Sequence, residues 1–514
     1  MRPCRRSITV SSNRNSRCCP DVTHDATSDL KALIQSRHPI VTIDTVEEER
    51  VDNLLQSVAA GLHVPLFTWT VTRGLQRVGG EGGPIYGTAN PQVLVKHLAT
   101  LTVCGVFHLK DLHAHLNDTT VARGLRDIAQ AFLKTGSTAV LSGEGIHLPS
   151  ELSRDSVPFQ LHLPNRDELQ AIVHQTLHAL KGKQNISVAL GPDGMESLMQ
   201  ALSGLTLNQA RQAIAWAVVD DGALDAGDIP RLLRRKGEAV REEGLLEFYP
   251  PEDNATELGG FEHLKAWLER ARVGFTSEAR ALGLPAPRGI LIVGVQGCGK
   301  SLAAKAIASA WKQPLLKLDA ARLYDKFIGE SEKNLRKALD FAEAIAPSVL
   351  WIDELEKGFA AGGEADAGLS QRILGSFLTW LQERQAPVFV AATANDVLAL
   401  PPELLRKGRF DEIFFVDLPD AAGREAIFRI HLALRRQEVS TFDLPALVAA
   451  SEGFSGAEIE QAITAGLYRA LHDRQPLTDA MLCEEMRGTQ PLSVSRREDV
   501  ERLREMARGR FVEA

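Results

Sequence analysis

The sequence predicts an α/β protein of parallel sheets with helices on both faces, and three observations carry that prediction. An apolar run at 290–293 breaks into glycines and ends in Lys300-Ser301. Strand-length apolar segments alternate with amphipathic helical ones along most of the 514 residues. The order of these segments occurs twice.

A chain of this length predicts about three domains. Apolar residues make up 44% and charged residues 24%, an ordinary globular balance. The net charge of −8 argues against a nucleic-acid partner, because such affinity comes mostly from Lys and Arg meeting phosphate. No stretch approaches the ~20 apolar residues of a membrane span. The six cysteines are scattered without paired spacing, which points to a reducing, cytoplasmic setting. Residues 1–28 are rich in Arg and Ser, with no acid before Asp21, and read as a disordered tail or a targeting segment. In the second case an organelle stroma is the destination.

In the first half, strands are expected at 40–45, 66–71 and 138–142, a helix at 47–61, and an apolar run at 103–109 stopping at Lys110-Asp111. Leu148-Pro-Ser-Glu-Leu152 matches Leu400-Pro-Pro-Glu-Leu404, and the segment at 159–164 matches that at 414–419. The stretch 203–214 matches 452–463. These matches, in one order, predict two copies of one architecture at 29–240 and 257–486, joined by a stiff linker at 241–256 that contains Tyr249-Pro250-Pro251. The second copy divides into a large part, 257–425, and a helical lid, 426–486. The basic tail 487–514 is expected to be helical, its 496–510 stretch an amphipathic helix packing on a neighbour.

The second copy carries the chemistry. Gly294, Val295, Gln296, Gly297, Cys298, Gly299, Lys300 and Ser301 form Gly-x-x-x-x-Gly-Lys-Ser, whose glycines let backbone N–H groups turn around an anion. Lys300 adds a point charge on the outer phosphates and Ser301 a hydroxyl for Mg²⁺. The helix expected from Leu302 to 311 presents its positive end to the same phosphates. The strand expected at 348–352 delivers Asp353, placed to hold Mg²⁺ with Ser301, and Glu354, placed to polarise the attacking water. A third strand at 388–392 leads to Asn395, in reach of the γ-phosphate or that water. Arg406 and Arg409 stand three apart on one side of a turn, where an arginine offered to a neighbouring molecule stabilises charge on the transferring group. In the first copy the corresponding loop is Val46-Glu47-Glu48-Glu49-Arg50, without glycine or lysine, and Lys110-Asp111 stands where the second copy has Asp353-Glu354. Three carboxylates there repel a triphosphate. His108, His113 and His115 suggest either a metal site or, the simpler reading, a solvated turn.

Together, Gly294–Ser301, Asp353-Glu354, Asn395, Arg406 with Arg409, and Gly453-Phe-Ser-Gly456-Ala457-Glu458 resemble the Walker A, Walker B, sensor 1, arginine-finger and lid motifs of the AAA family of AAA+ ATPases. The resemblance covers about 257–470. It implies a P-loop AAA+ three-layer sheet with a helical lid, preceded by a degenerate AAA-like domain, with ATP and Mg²⁺ as cofactors and a hexameric ring as the assembly. Asp44-Thr-Val-Glu-Glu-Glu-Arg50, Trp351-Ile-Asp-Glu-Leu-Glu-Lys-Gly-Phe359, Phe377-Leu-Thr-Trp-Leu-Gln-Glu383 and Thr489-Gln-Pro-Leu-Ser493 are similar to the plastid and cyanobacterial AAA proteins called hypothetical chloroplast reading frames.

Asp325-Lys326-Phe327-Ile328-Gly329-Glu330-Ser331-Glu332 is similar to the pore loop of AAA unfoldases. Phe327 then grips an extended polypeptide, the plain alternative being that it packs on a neighbouring element. Ser331 is expected to cap a helix whose apolar face is Leu335, Ala338, Leu339, Ala342 and Ile345. The glycine-rich 360–368 reads as a second loop facing the same channel. The expected function is ATP-driven remodelling or threading of a protein client. The alternative is an ATP-dependent assembly switch or scaffold that threads nothing.

Overall fold

The computed structural model describes residues 26–80, 82–181, 187–219, 222–242, 244–251, 259–319, 330–359, 367–406 and 408–514. Its contacts divide the chain into two compact units, Met1–His162 and Leu163–Ala514.

The first unit is built on β1 (Ile40–Asp44), β2 (Leu66–Thr70), β3 (Gly74–Arg77), β4 (Val106–Lys110), β5 (Thr138–Gly143) and β6 (Ser156–Pro158), in the spatial order β3-β2-β4-β5-β1-β6. Only the β2–β3 pair is antiparallel. β4 and β5 are buried almost throughout because both faces of the sheet are covered. Val121, Leu125, Ile128 and Phe132 of the helix Thr119–Thr135 pack on Phe107, Ala139 and Leu141. Val51, Leu55 and Val58 of the helix Glu48–Leu62 pack on Val41, Ile43 and Val140 from the other side. The expected elements at 40–45, 47–61, 66–71 and 138–142 each lie within a residue of those observed. The apolar run at 103–109 enters the sheet only at Val106, and the second match, at 159–164, begins directly after β6.

In the second unit, β7 (Ser187–Val188) and β8 (Ala223–Leu224) form a small parallel pair. The main sheet comprises β9 (Leu246–Tyr249), β10 (Gly289–Gly294), β11 (Leu315–Leu318), β12 (Ser348–Ile352), β13 (Val388–Ala394), β14 (Glu412–Val416) and β15 (Val512–Glu513), ordered β15-β14-β10-β13-β12-β11-β9. β9 is antiparallel to β11, and the remaining pairs are parallel. If β1 corresponds to β10, β5 to β13, β4 to β12, β2 to β11 and β6 to β14, the two sheets have one strand order, each with an antiparallel strand at the same edge. The matched stretches 203–214 and 452–463 also fold alike. Thr206 and Gln209 exchange hydrogen bonds at the start of the helix Leu207–Val219, and Ser455 and Glu458 do so at the start of the helix Gly456–Asp473. Each pair is a capping box.

Four differences from expectation have physical causes. The 241–256 stretch is more than a linker: Leu246 and Phe248 are buried, alternating with Glu247 and Tyr249, and this period-two pattern adds β9 to the second sheet. The helices Arg166–Lys181, Pro192–Leu202, Leu207–Val219 and Asp228–Glu242 group with the second sheet rather than the first, because Leu163, Leu233 and Val240 pack into the core that holds Leu246 and Phe248. The basic tail packs on its own unit and ends in a strand. Val500 and Ala507 of the helix Arg497–Ala507 are buried, Arg504 chelates Asp417, and β15 extends the sheet beside β14. Ser331 lies buried inside the helix Glu330–Ala344, which begins two residues earlier than expected; Leu335, Ala338, Leu339 and Ala342 form its buried face as predicted, with Ile345 buried just past its end. No helix among the described residues is long and apolar enough to cross a membrane.

Candidate nucleotide-binding site

β10 is buried at every residue and ends at Gly294, where φ is +148° and a Cβ would lie 2.0 Å from the carbonyl oxygen of Val416. Only glycine allows β14 so close. The Val295 N–H donates to that carbonyl at 3.0 Å, and the chain then turns through left-handed Gly297 and Gly299 into the helix Lys300–Trp311, two residues earlier than predicted. Lys300 is 6% exposed. Its Nζ donates to the carbonyls of Gly294 at 2.9 Å and Val295 at 2.8 Å, bridging the loop from inside. Burial draws this amine down to about 8, although Glu356, Asp353 and Glu354 oppose the shift. Cys298 is buried and its thiol pushed up to about 12 by that burial, so it is unreactive filler in the loop, while Gln296 and Leu302 are exposed.

Behind the loop, six residues form one network. Ser301 Oγ donates to Asp353 Oδ1 at 3.1 Å, and Thr393 Oγ1 donates to the same oxygen at 2.6 Å. Oδ2 of Asp353 has no hydrogen-bond partner among the described residues. Glu354 sits at φ +51°, a conformation L side chains rarely adopt, and its N–H donates to Thr393 Oγ1 at 3.1 Å. Asn395 Nδ2 donates to Glu354 Oε1 at 3.0 Å, and Lys357 pairs with Glu354 Oε2 at 2.5 Å. The structure therefore gathers Lys300, Ser301, Asp353, Glu354 and Asn395 at the C-terminal ends of neighbouring parallel strands. Sequence reading missed Thr393 and Glu356. Thr393 is a buried hydroxyl in an otherwise apolar strand, and Glu356 accepts the Asn395 N–H at 3.0 Å while its buried Oε2 has no partner among the described residues. The signals were a polar residue inside a buried run and a carboxylate one helical turn after Asp353.

The helix Gly456–Asp473 meets the phosphate loop directly, the Ala457 N–H donating to the Gly297 carbonyl at 3.0 Å, with Gly456 beside it. Arg406 and Arg409 are elsewhere. Asp411 accepts the N–H groups of Arg288 and Gly289 at 2.6 and 2.9 Å, which ties the 408–411 segment to the beginning of β10, whereas the phosphate loop follows its end. Six residues of strand, roughly 17 Å, separate the two. Arg406 is exposed, and Nη1 of the half-buried Arg409 has no partner among the described residues.

In the first unit the same positions carry exchanged charges. Lys110 ends β4 as Asp353 follows β12, and its Nζ reaches Asp52 at 2.6 Å and Glu48 at 3.2 Å on the helix that follows β1. Burial would lower the Lys110 amine, but these carboxylates hold it above its ordinary range; burial would likewise raise Asp52, which His108 and Lys110 hold down. Asp111, like Glu354, is left-handed, at φ +54°. His108 is no solvated turn: it is fully buried on β4, with Nδ1 2.9 Å from Asp52 and Nε2 2.7 Å from Ser142 Oγ. Alternation along the strand turned it inward. The described residues hold no cluster of three metal-ligating side chains. Lys326, Phe327 and most of the glycine-rich 360–368 lie outside the described residues.

Comparison with known proteins agrees with this geometry. Residues 290–418 match the AAA model, the ATPase family associated with various cellular activities. Residues 26–161 and 167–243 match the N-terminal and second domains of SpoVK-like AAA ATPases. The chain is similar to the AAA domain-containing protein ycf46 of Guillardia theta, 36% identical over 484 residues that cover 93% of this chain and 94% of that protein. The ycf46 protein of Trieres chinensis is 36% identical over 470 residues, 90% of this chain and 93% of its own. A cell division cycle protein 48 homolog from Archaeoglobus fulgidus is 31% identical over 255 residues, 48% of this chain and 34% of that one. A P-loop α/β domain with these motifs, an N-terminal AAA-like domain before it, and full-length likeness to two ycf46 proteins make this chain a member of the AAA ATPase family.

Proposed function

We propose that the protein hydrolyses ATP with Mg²⁺ in a ring, as a hexamer, and uses the turnover to remodel or thread a protein client. The supporting observation is the network that links Ser301, Asp353, Thr393, Glu354 and Asn395 behind the buried Lys300. The donor set fits Mg²⁺: Ser301 Oγ and an Asp353 carboxylate with an unengaged oxygen are hard oxygen ligands beside the phosphate loop. When bound, the ion would neutralise charge on the phosphates. Lys300, now satisfied by two carbonyls, would turn to the phosphate oxygens; Glu354 would orient water, and Asn395 would hold Glu354 in position.

Arg406 and Arg409 lie far along the strands from their own phosphate loop, and this favours their service to a neighbouring subunit's nucleotide. The Lys110–Asp52 pair in turn favours a first unit that keeps its shape without nucleotide. That is also what a scaffold would use, so the assembly-switch reading stands as the alternative.

Glu354→Gln tests the proposal: nucleotide binding and assembly should persist while turnover falls about 100-fold or more. Undiminished turnover would remove Glu354 from the mechanism. Mixing Arg409→Ala with Lys300→Ala subunits should restore part of the activity each lacks alone, and a mixture as inactive as its components would count against shared sites. Phe327→Ala separates motor from switch, since a threading machine loses work on its client and a switch keeps partner binding.

A further inference from the structure

The helices Leu207–Val219 and Asp228–Glu242 border a cleft of about 330 Å³ lined by Trp216, Arg231, Arg234, Arg235 and Glu238. It shares no residue with the nucleotide site. Ala210, Ala213, Ile214, Ala217 and Val218 turn inward from the first helix, whereas Trp216 on the same helix is 49% exposed. The Arg231 guanidinium lies 4.7 Å from the centre of the Trp216 ring and is held from behind by the buried Asp228 at 3.4 Å. Arg235 is paired with Glu238 at 3.0 Å. Arg234 is exposed and forms no ion pair among the described residues. An aromatic face is thus framed by guanidinium groups, one of them without a counter-charge among the described residues.

We infer that this cleft docks an acidic segment of a partner protein that carries an apolar side chain among its carboxylates. Arg234 takes a carboxylate in fork geometry, and the apolar side chain lies on Trp216 beside the Arg231 guanidinium. Charge complementarity favours the occupant: Arg231 and Arg235 are paired with Asp228 and Glu238, whereas Arg234 is exposed with no counter-charge among the described residues. A nucleic-acid strand is disfavoured because it needs a basic groove along several phosphates and a succession of stacking aromatics. Here there is one tryptophan, room for only a few side chains, and a carboxylate at the rim, on a chain of net charge −8. The inference deepens the proposed function by assigning its protein partner a docking chemistry, and it rests on that reading.

The test uses the full chain and a fluorescein-labelled peptide of alternating Asp and Glu around one Phe, with binding read by anisotropy. An Asn/Gln version of the peptide and a labelled oligo-dT serve as the other arms. The acidic peptide should bind at least about tenfold more tightly than its neutral version, and Arg234→Gln and Trp216→Ala should each weaken it by about tenfold or more. ATP turnover without peptide should stay unchanged in both variants. Equal binding of the two peptides, variants that bind like the parent, or oligo-dT outcompeting the peptide at this cleft would overturn the inference. Turnover is measured on the same preparations: peptide binding without turnover in the parent protein supports docking and rejects the ATPase reading, whereas turnover without peptide binding rejects docking alone.

Discussion

Thr393 and Asp353 are joined by a 2.6 Å hydrogen bond, and the same threonine oxygen accepts the backbone N–H of Glu354. One hydroxyl thereby aims the carboxylate opposite Ser301 and steadies the left-handed turn that presents Glu354.

Thr393→Val, which keeps the shape and removes the hydroxyl, should lower turnover about 10- to 100-fold and weaken Mg²⁺-dependent nucleotide binding. Thr393→Ser should restore most of both. A valine variant with normal turnover and normal Mg²⁺ dependence would show that the bond merely fills space.

Lys300 stands at about 8 because it is buried, against an ordinary 10.5. Phosphates favour the charged amine, so nucleotide binding near pH 8.5 should draw in a proton, and affinity should fall as pH rises through about 8. Without nucleotide the sign reverses: the unfolded chain holds this proton up to about 10.5, so the contribution of Lys300 to stability increases between about 8 and 10.5. Calorimetric titration in two buffers of different ionisation enthalpy detects the uptake, and identical heats near pH 8.5 would refute it.

Lys236 is 1% exposed, with its Nζ 5.0 Å from the Phe248 ring centre and 3.4 Å from the Gln200 carbonyl, and burial lowers it to about 7. Below pH 7 the fold carries the full cost of a charged amine in the core. That cost is relieved between about 7 and 10.5, where the folded chain is neutral and the unfolded chain still charged. Lys236→Met should therefore stabilise the protein at pH 6 by about 1–4 kcal/mol, the gain shrinking by pH 9.5. Urea midpoints at the two pH values measure it.

Gly204 has φ +81°, and a Cβ there would lie 2.3 Å from Ile345 Cγ2 and 3.1 Å from the Phe341 ring. Gly204→Ala should cost about 1–3 kcal/mol through strain and overpacking. It should be visible as a lower denaturant midpoint with an unchanged slope.

The phosphate loop was legible because its spacing is local: glycines, lysine and serine must follow one another for backbone amides to converge on an anion. Asp353, Glu354 and Asn395 were legible because buried strands are apolar, so polar residues at their ends stand out. Thr393 and Glu356 were hidden, since their roles depend on which strands become neighbours. The histidine cluster misled for the same reason. Polar composition suggested solvent, and the pairing of β4 with β5 put His108 in the core against Ser142.

What the sequence by itself determined is the kind of fold and its duplication, because hydrophobic period and loop chemistry are properties of short stretches. The tertiary structure alone decided that β9 closes the second sheet, that the helices 166–242 join that unit, and that the basic tail returns to its own unit through Arg504 and Asp417. It also revealed that charge is exchanged between helix and strand in the first unit, where Lys110 meets Asp52. These outcomes depend on contacts between residues tens to hundreds of positions apart. Such contacts form only when the buried area gained outweighs the entropy of bringing distant segments together, and no local pattern records that balance.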